Sequence, residues 1–309
     1  MPKLLENAHL EDLEDRFNVL FDQEDKYACS DYLHEVVSAN NFEIVVDENC
    51  RKIMANWCHR ITSYCKFSAD ITCIAMRLID RLLSTSNGKS ILYDKRAFQL
   101  ATVCCLHITI KLHETRKFDM TSLSKLCRGF YDDDEFTRME HAILSSLKWN
   151  LCPPTPYAFL ELFLDLLPPS SSTNALLCQP KSSLLELVNK QIIVAVQDYN
   201  FVGVNPSLIA ISSLLNALDY MKYPSHLQAS FLHNIHVVTD LDCTNHFVTN
   251  LKQYLICGNN MQHQSNNNTI GSSSNHDSSN ASNAIHDSDD SVTTKRSLHS
   301  PVCVVSYEE

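Results

Sequence analysis

Between Lys3 and Cys152 the chain contains no proline, and all 309 residues include only five glycines. Turn-rich β architectures need those residues at their corners, whereas helices are broken by proline and weakened by glycine. The first half is therefore suited to long, uninterrupted helices, and its apolar spacing agrees. In RKIMANWCHRIT the residues Ile53, Met54, Trp57 and Ile61 recur at i, i+1, i+4 and i+8 along one helix face. Ser68 is a good N-cap for a second helix through ADITCIAMRLIDRLLS, and Asn87-Gly88 breaks the chain in TSNGKSILY. A third helix begins near Asp94 and runs through LATVCCLHITIKLHE, and a short fourth follows Thr121. The fifth opens at Asp132–Asp134, where Asp132 and Glu135 have capping-box spacing, and ends near LKWNL.

The prolines of CPPTPY end this unit, and Thr155 with Pro156 starts another helix as N-cap and first-turn proline. Five further helices are expected at about 155–167, 181–198, 205–221, 225–238 and 240–256, with Asn205-Pro206 repeating the cap-plus-proline signal. The third helix of each set has small residues at its middle, Ala101, Cys104 and Cys105 in one and Ala210, Ser212 and Ser213 in the other. A helix surrounded by neighbours needs such residues so that backbones can approach. This pattern reads as a duplicated five-helix unit. From Gly258 onward the chain is rich in Asn, Ser, His and Asp with little to bury, so it is expected to be disordered. The expected architecture is all-α, in four parts. They are an acidic N-terminal helical extension (1–40), a first unit (41–152), a second unit (153–257) and a tail (258–309).

Charge is unevenly placed along the chain, whose net charge is −11. Residues 1–50 carry 13 acidic against 3 basic groups, residues 51–151 carry 16 basic against 10 acidic, and residues 152–260 carry 4 basic against 7 acidic. An excess of six positives on one unit lacks the basic stripe that nucleic acid requires but suits an acidic protein partner. Thirteen scattered cysteines without a Cys-x-x-Cys pair fit reduced thiols in the nucleus and cytoplasm, and the longest apolar run is too short for a bilayer. Candidate bases or ligands are His107, His113, His233 and His236, and candidate nucleophiles are Cys58, Cys65, Cys73, Cys104 and Cys105. His233 and His236 lack a third ligand in metal-site spacing, the cysteines fall on helix interiors, and no phosphate-cradling glycine loop exists. No metal, no cofactor and no catalysis are expected, and neither nucleic acid nor a membrane is expected as a partner.

The apolar run of the third helix ends abruptly in Lys111, with Glu114 three residues on. A lysine at the rim of a buried helix ordinarily snorkels. The wider pattern gives it another meaning. The series Arg51-Lys52-Ile53-Met54-x-x-Trp57, then Leu78-Ile79-Asp80-Arg81-Leu82-Leu83-Ser84, then Lys111-x-x-Glu114, then Arg138-Met139-Glu140 and Leu147-Lys148-Trp149-Asn150-Leu151 resembles the cyclin box in order and spacing. The resemblance is strong over 50–160 and architectural as far as 257. LKWNLCPPTPYAFLELFL looks most like D-type and other G1-class cyclins, although the Leu-x-Cys-x-Glu motif of D-type members is absent. KYACSDYL is similar to the extra helix that precedes the box.

This resemblance implies a regulatory subunit that binds and allosterically activates a cyclin-dependent Ser/Thr kinase in cell-cycle progression, at G1 or G1/S. A transcription-type cyclin is the alternative. A general transcription factor of the B class shares the fold but needs an N-terminal zinc ribbon, and residues 1–50 offer only Cys29 and Cys50. Carried over by position, Lys111 and Glu140 centre the kinase-binding surface, with Leu100 and Glu114 beside them. The matching helix end of the second unit reads Leu218-Asp219-Tyr220, so that half is expected to lack the pair. Arg51 and Asp80 match a structural ion pair. Ile53, Met54, Trp57, Gln99 and Leu100 fall on an apolar groove that docks Arg-x-Leu substrates or inhibitors. Cys50 replaces the usual methionine there, and Arg60 stands where an acid normally meets the peptide. Trp57 fits the core as well as it fits such a groove. In the tail, Ser300-Pro301 is a minimal proline-directed phosphorylation site preceded by Arg296-Ser297-Leu298, and Ser288 lies in an acidic run. Phosphates there would be read by a ubiquitin ligase.

Overall fold

The computed structural model describes residues 2–39, 45–116, 122, 125–168 and 181–268, and among them there is no β-strand. Ser288, Ser300 and the rest of the tail motifs lie outside the described residues; of the short fourth helix expected after Thr121, Ser122, Lys125 and Leu126 are described and are helical. No helix of the described residues is long and apolar enough to cross a membrane.

Two helices precede the first unit, α1 (Pro2–Lys26) and α2 (Tyr32–Ala39), where a single one was expected. KYACSDYL is the break between them. Its residues are held by distant partners: the Ser30 amide donates to Ser84 Oγ (3.1 Å), and the Leu33 amide donates to the Tyr199 hydroxyl (3.0 Å). Local periodicity does not register such contacts.

The first unit comprises α3 (Glu48–Cys65), α4 (Asp70–Ser84), α5 (Lys95–His113) and α6 (Asp133–Ser146). Each start has a local cause. Asp47 accepts from the Cys50 amide at α3, and Asp94 from the Arg96 amide at α5. The capping box of Asp132 and Glu135 is complete at α6. At α4 Ser68 acts as expected on the first turn: its hydroxyl accepts from the Asp70 amide (3.4 Å) and donates to the Asp70 carboxylate (3.3 Å), with Ala69 between them already in helical conformation. Gly88 opens the 3-10 turn Lys89–Tyr93, where an added Cβ would sit 1.9 Å from the Leu82 carbonyl oxygen. Only glycine fits that approach.

The second unit comprises α7 (Pro156–Asp165), α8 (Lys181–Gln197), α9 (Pro206–Tyr220), α10 (Ser225–Thr239) and α11 (His246–Asn268). Thr155 caps α7 by accepting from the Ala158 amide, with Pro156 in the first turn. α11 starts later than expected because Asp240 takes a left-handed conformation (φ 55°) and Asp242 accepts from the Thr244 amide (2.8 Å), holding a turn. It also continues through Gly258 to Asn268, past the point where composition changes. A drop in apolar content marks where burial ends, and a helix nucleated upstream can propagate beyond it.

α5 and α9 are the central helices, each packed against the first, second and last helices of its own unit. Their cores are separate clusters that exchange members. Cys73 of α4 sits in the second core, while Tyr199 and Val202 sit in the first. The N-terminal helices straddle the same division. Tyr32 and Leu33 of α2 belong to the first core, but Leu13 and Phe17 of α1 belong to the second. There α1 packs on α7 and α10.

α1 also supplies a cap. Asn205 makes no side-chain cap bond at the start of α9. Buried Glu24 does so from 183 residues away, accepting from the Ser207 amide (2.5 Å) and from its hydroxyl (2.9 Å). Burial raises the Glu24 carboxyl above its ordinary value, against the lowering effect of the Ser207 bonds and the Arg77 charge. A raised folded-state value means that the folded chain holds this proton more tightly than the unfolded chain. Its contribution to stability is therefore complete below the ordinary carboxylate range and is lost as pH rises through the folded value. Glu24→Gln keeps an acceptor and removes the titration. Relative to the variant, the wild type should gain melting temperature on acidification through that window. A constant difference between the two at every pH would contradict this.

Candidate functional site

α5 is buried from Phe98 to Ile110, and its polar residues are satisfied within the helix or by neighbours. The Thr102 hydroxyl donates to the Phe98 carbonyl (2.9 Å) and that of Thr109 to the Cys105 carbonyl (2.8 Å). At Lys111 the helix reaches water. Across from it, α6 is aligned by its first turn. Glu135, besides completing the cap, takes both Arg96 guanidinium nitrogens at 2.6 and 3.1 Å, and Arg96 lies over the Tyr131 ring. Five residues further on, Glu140 faces α5. One carboxylate oxygen meets Lys111 Nζ, and the other lies 3.6 Å from Nδ1 of buried His107. His107 and Lys111 are four apart on one helix face, so a single carboxylate spans both.

The ammonium has three donors and the carboxylate about four lone-pair sites. Holding each other therefore leaves both with capacity for a further partner. Apolar surface accompanies them. Leu112, the next residue after Lys111, is exposed. Trp149 is exposed as well, but away from the pair: beyond the end of α6, where the neighbouring Asn150 carbonyl accepts from Arg81 at the end of α4 (2.6 Å). Lys148 and Trp149 are both left-handed (φ 51° and 60°), which turns the chain sharply at that point. Sequence reasoning did not single out Trp149 as an exposed aromatic although it lies inside the quoted LKWNL. Its exposure depends on that backbone turn, which no periodicity announces.

The other expected positions divide. Arg51 and Asp80 form a buried bidentate pair, Nε to Oδ1 at 2.8 Å and Nη2 to Oδ2 at 2.7 Å, joining α3 to α4. Two partners were unforeseen: the Tyr32 hydroxyl donates to Asp80 (3.0 Å), and Arg51 Nη1 donates to the Val196 carbonyl at the end of α8 (2.9 Å). The pair thus ties α2 and the second unit to the first. Glu114 takes no part in the Lys111–Glu140 contact and accepts from the Ser68 amide (2.8 Å), fastening the end of α5 to the start of α4. Leu100 is buried.

The apolar-groove reading needs correction. Met54 and Trp57 have no exposed surface, Gln99 is buried with its Oε1 accepting from the Tyr131 hydroxyl (3.0 Å), and Ile53 packs half-buried against the same core. These residues hold the unit together and present no open patch to a peptide. Heptad-like spacing shows that a face is apolar but not what covers it.

Burial pushes the Cys58 and Cys127 thiols up to about 12 and raises Cys73, Cys104 and Cys105 as well. They pack as small apolar groups in the thiol form. His233 and His236 are exposed on α10. Among the described residues no three His, Cys, Asp or Glu side chains converge as a metal site.

The second unit has no lysine at the end of its central helix to repeat the Lys111–Glu140 pair, but it has an ion pair of its own. At the end of α9, Asp219 meets Lys252 of α11, Nζ to Oδ2 at 2.7 Å, and accepts from Gln228 Nε2 at 2.8 Å. Burial would raise this carboxyl, but the bonds from Lys252 and Gln228 hold it below the usual range. The helices involved are the third and last of the unit, the same two that carry Lys111 and Glu140 in the first. The signs are reversed.

Comparison with known proteins agrees with this architecture. Residues 15–152 match the family model described as cyclin, N-terminal domain, and residues 154–284 match cyclin, C-terminal domain. The chain is similar to the G1/S-specific cyclin-D1 of Danio rerio, at 31% identity over 195 residues that cover 60% of this chain and 61% of that protein. Against cyclin-D1 of Xenopus laevis it is 28% identical over 171 residues, covering 55% of each chain. The match thus spans rather less than two thirds of these relatives' length. Among solved structures, a viral cyclin from herpesvirus saimiri superposes with a TM-score of 0.54 at 18% identity, covering 70% of this chain and 86% of that one, and so shares the fold.

Proposed function

The chain belongs to the cyclin family, and from that premise we propose that it is a non-catalytic regulatory subunit that binds and activates a cyclin-dependent Ser/Thr kinase at G1 or G1/S. The observation that carries this reading is the Lys111–Glu140 pair. It is a satisfied ion pair at the edge of a buried helix, with spare donors and acceptors and with exposed Leu112 next to Lys111 in the chain. Such a surface suits a docked helix, whose backbone groups the two charges bond while its apolar ridge covers the side chains.

The activation step follows from what kinases require. Their ATP site needs an ion pair between a strand lysine and a glutamate of the αC helix, and an ordered activation loop. A rigid partner gripping αC shifts that helix inward and selects the active arrangement. The first unit is rigid where it would grip, because α5 is enclosed by α3, α4 and α6. Arg-x-Leu docking at Trp57 is no part of this proposal, since that ring is sealed in the core.

The test is the double variant Lys111→Ala, Glu140→Ala. Both side chains are partly exposed, so helical circular dichroism and melting temperature should hold. The dissociation constant for a cyclin-dependent kinase catalytic subunit should rise by more than about 30-fold, as expected when a hydrogen-bonded interfacial pair is truncated. Unchanged kinase affinity in a folded variant would refute the assignment.

A further inference from the structure

The two units present equivalent faces of opposite polarity. On each face the member carried by the central helix is the more exposed: Lys111 at 43% against 23% for Glu140, and Asp219 at 48% against 25% for Lys252. The next residue is an exposed apolar one in both, Leu112 at 52% and Tyr220 at 77%, and Ile256, one turn beyond Lys252, is also exposed. The surroundings continue the contrast. Residues 51–151 carry a surplus of six positive charges, and residues 152–260 a surplus of three negative charges.

Within one chain each pair is closed inside its own unit. Between chains the faces match, and we propose that the Lys111 face of one copy docks on the Asp219 face of the next. In that contact Lys111 meets Asp219 and Glu140 meets Lys252, while Tyr220 covers Leu112. Each charge keeps a partner of opposite sign and gains a second, so docking leaves no charge unpaired. A large aromatic beside the pair gives the contact its apolar centre. The two surfaces differ, so the contact is heterologous and each added copy leaves one face of each kind open at the ends. The result is a concentration-dependent series of head-to-tail oligomers, weakened by salt because its charges lie near the surface. This inference does not rest on the kinase reading, although it uses the same Lys111 face, so a kinase and a second copy would compete for it. It needs only the two faces.

Sedimentation velocity on the full chain tests it. The weight-average sedimentation coefficient should rise along a concentration series at low salt and return to the monomer value at high salt. Lys111→Glu alone gives two negative faces and Asp219→Lys alone gives two positive ones, so each should stay monomeric. An equimolar mixture of the two variants restores opposite signs at every contact and should associate again. Tyr220→Ala leaves both ion pairs whole and should also weaken association, which guards against misfolding in the charge variants. A wild type that is monomeric throughout, a mixture that stays monomeric, or Tyr220→Ala associating like wild type would each overturn the proposal.

Discussion

Asp80→Ala should lower the stability of this protein by about 3–5 kcal/mol, the cost of breaking a buried ion pair from one side. The substitution leaves the Arg51 guanidinium in the core with only the Val196 carbonyl, and it leaves the Tyr32 hydroxyl without its acceptor. Marginal proteins have about 5–15 kcal/mol in total, so the urea midpoint should fall far. The same physics predicts a rescue. Replacing both partners, Arg51→Met with Asp80→Leu, removes the stranded charge along with the attraction and should recover much of the loss. If Asp80→Ala shifts the midpoint by less than about 1 kcal/mol equivalent, or the double variant is worse than the single one, the pair is not the clamp described here.

The second large effect is expected at the other core. Phe17→Ala should cost about 3–5 kcal/mol, the range for truncating a fully buried aromatic. The Phe17 ring centroid lies 5.1 Å from Phe163 and 5.9 Å from Phe21, and Phe21 in turn lies 5.4 Å from Phe159. Because Phe17 belongs to the second core, amide hydrogen exchange should accelerate in α7 and α10 before it does in α4. Faster exchange in α4 alone would show that α1 is seated on the wrong unit in this account.

Much of this fold is legible from local chemistry. Asp47, Asp94, Thr155 and the Asp132–Glu135 box each act on a backbone amide two or three residues away, so short-range spacing is sufficient to find them. What could not be read involves partners far apart in the chain. Glu24 caps a helix 183 residues on, and Arg51 bonds a carbonyl 145 residues on. At the candidate site, Lys111 and Glu140 were found from their motif, whereas His107 behind them required the fold. Asp219 and Lys252 were missed for a different reason. The search of the second unit was for a lysine at its helix end, and the pair there has its charges exchanged.

The placement of α1 has a consequence for how the chain is made. It leaves the ribosome before the other helices described, yet the surfaces that cover Leu13 and Phe17 are in α7 and α10, synthesised about 140 and 210 residues later. At about 5–20 residues per second that delay is on the order of ten to forty seconds. During it the first unit can close around its own core while α1 waits with an apolar stripe uncovered. The exposed face of α1 carries Glu11, Asp12, Glu14, Asp15 and Asp22, a density of like charge that keeps waiting chains from sticking to one another. A helix translated ahead of both units is therefore among the last to be seated, and its acidity serves the nascent chain before it serves the finished protein.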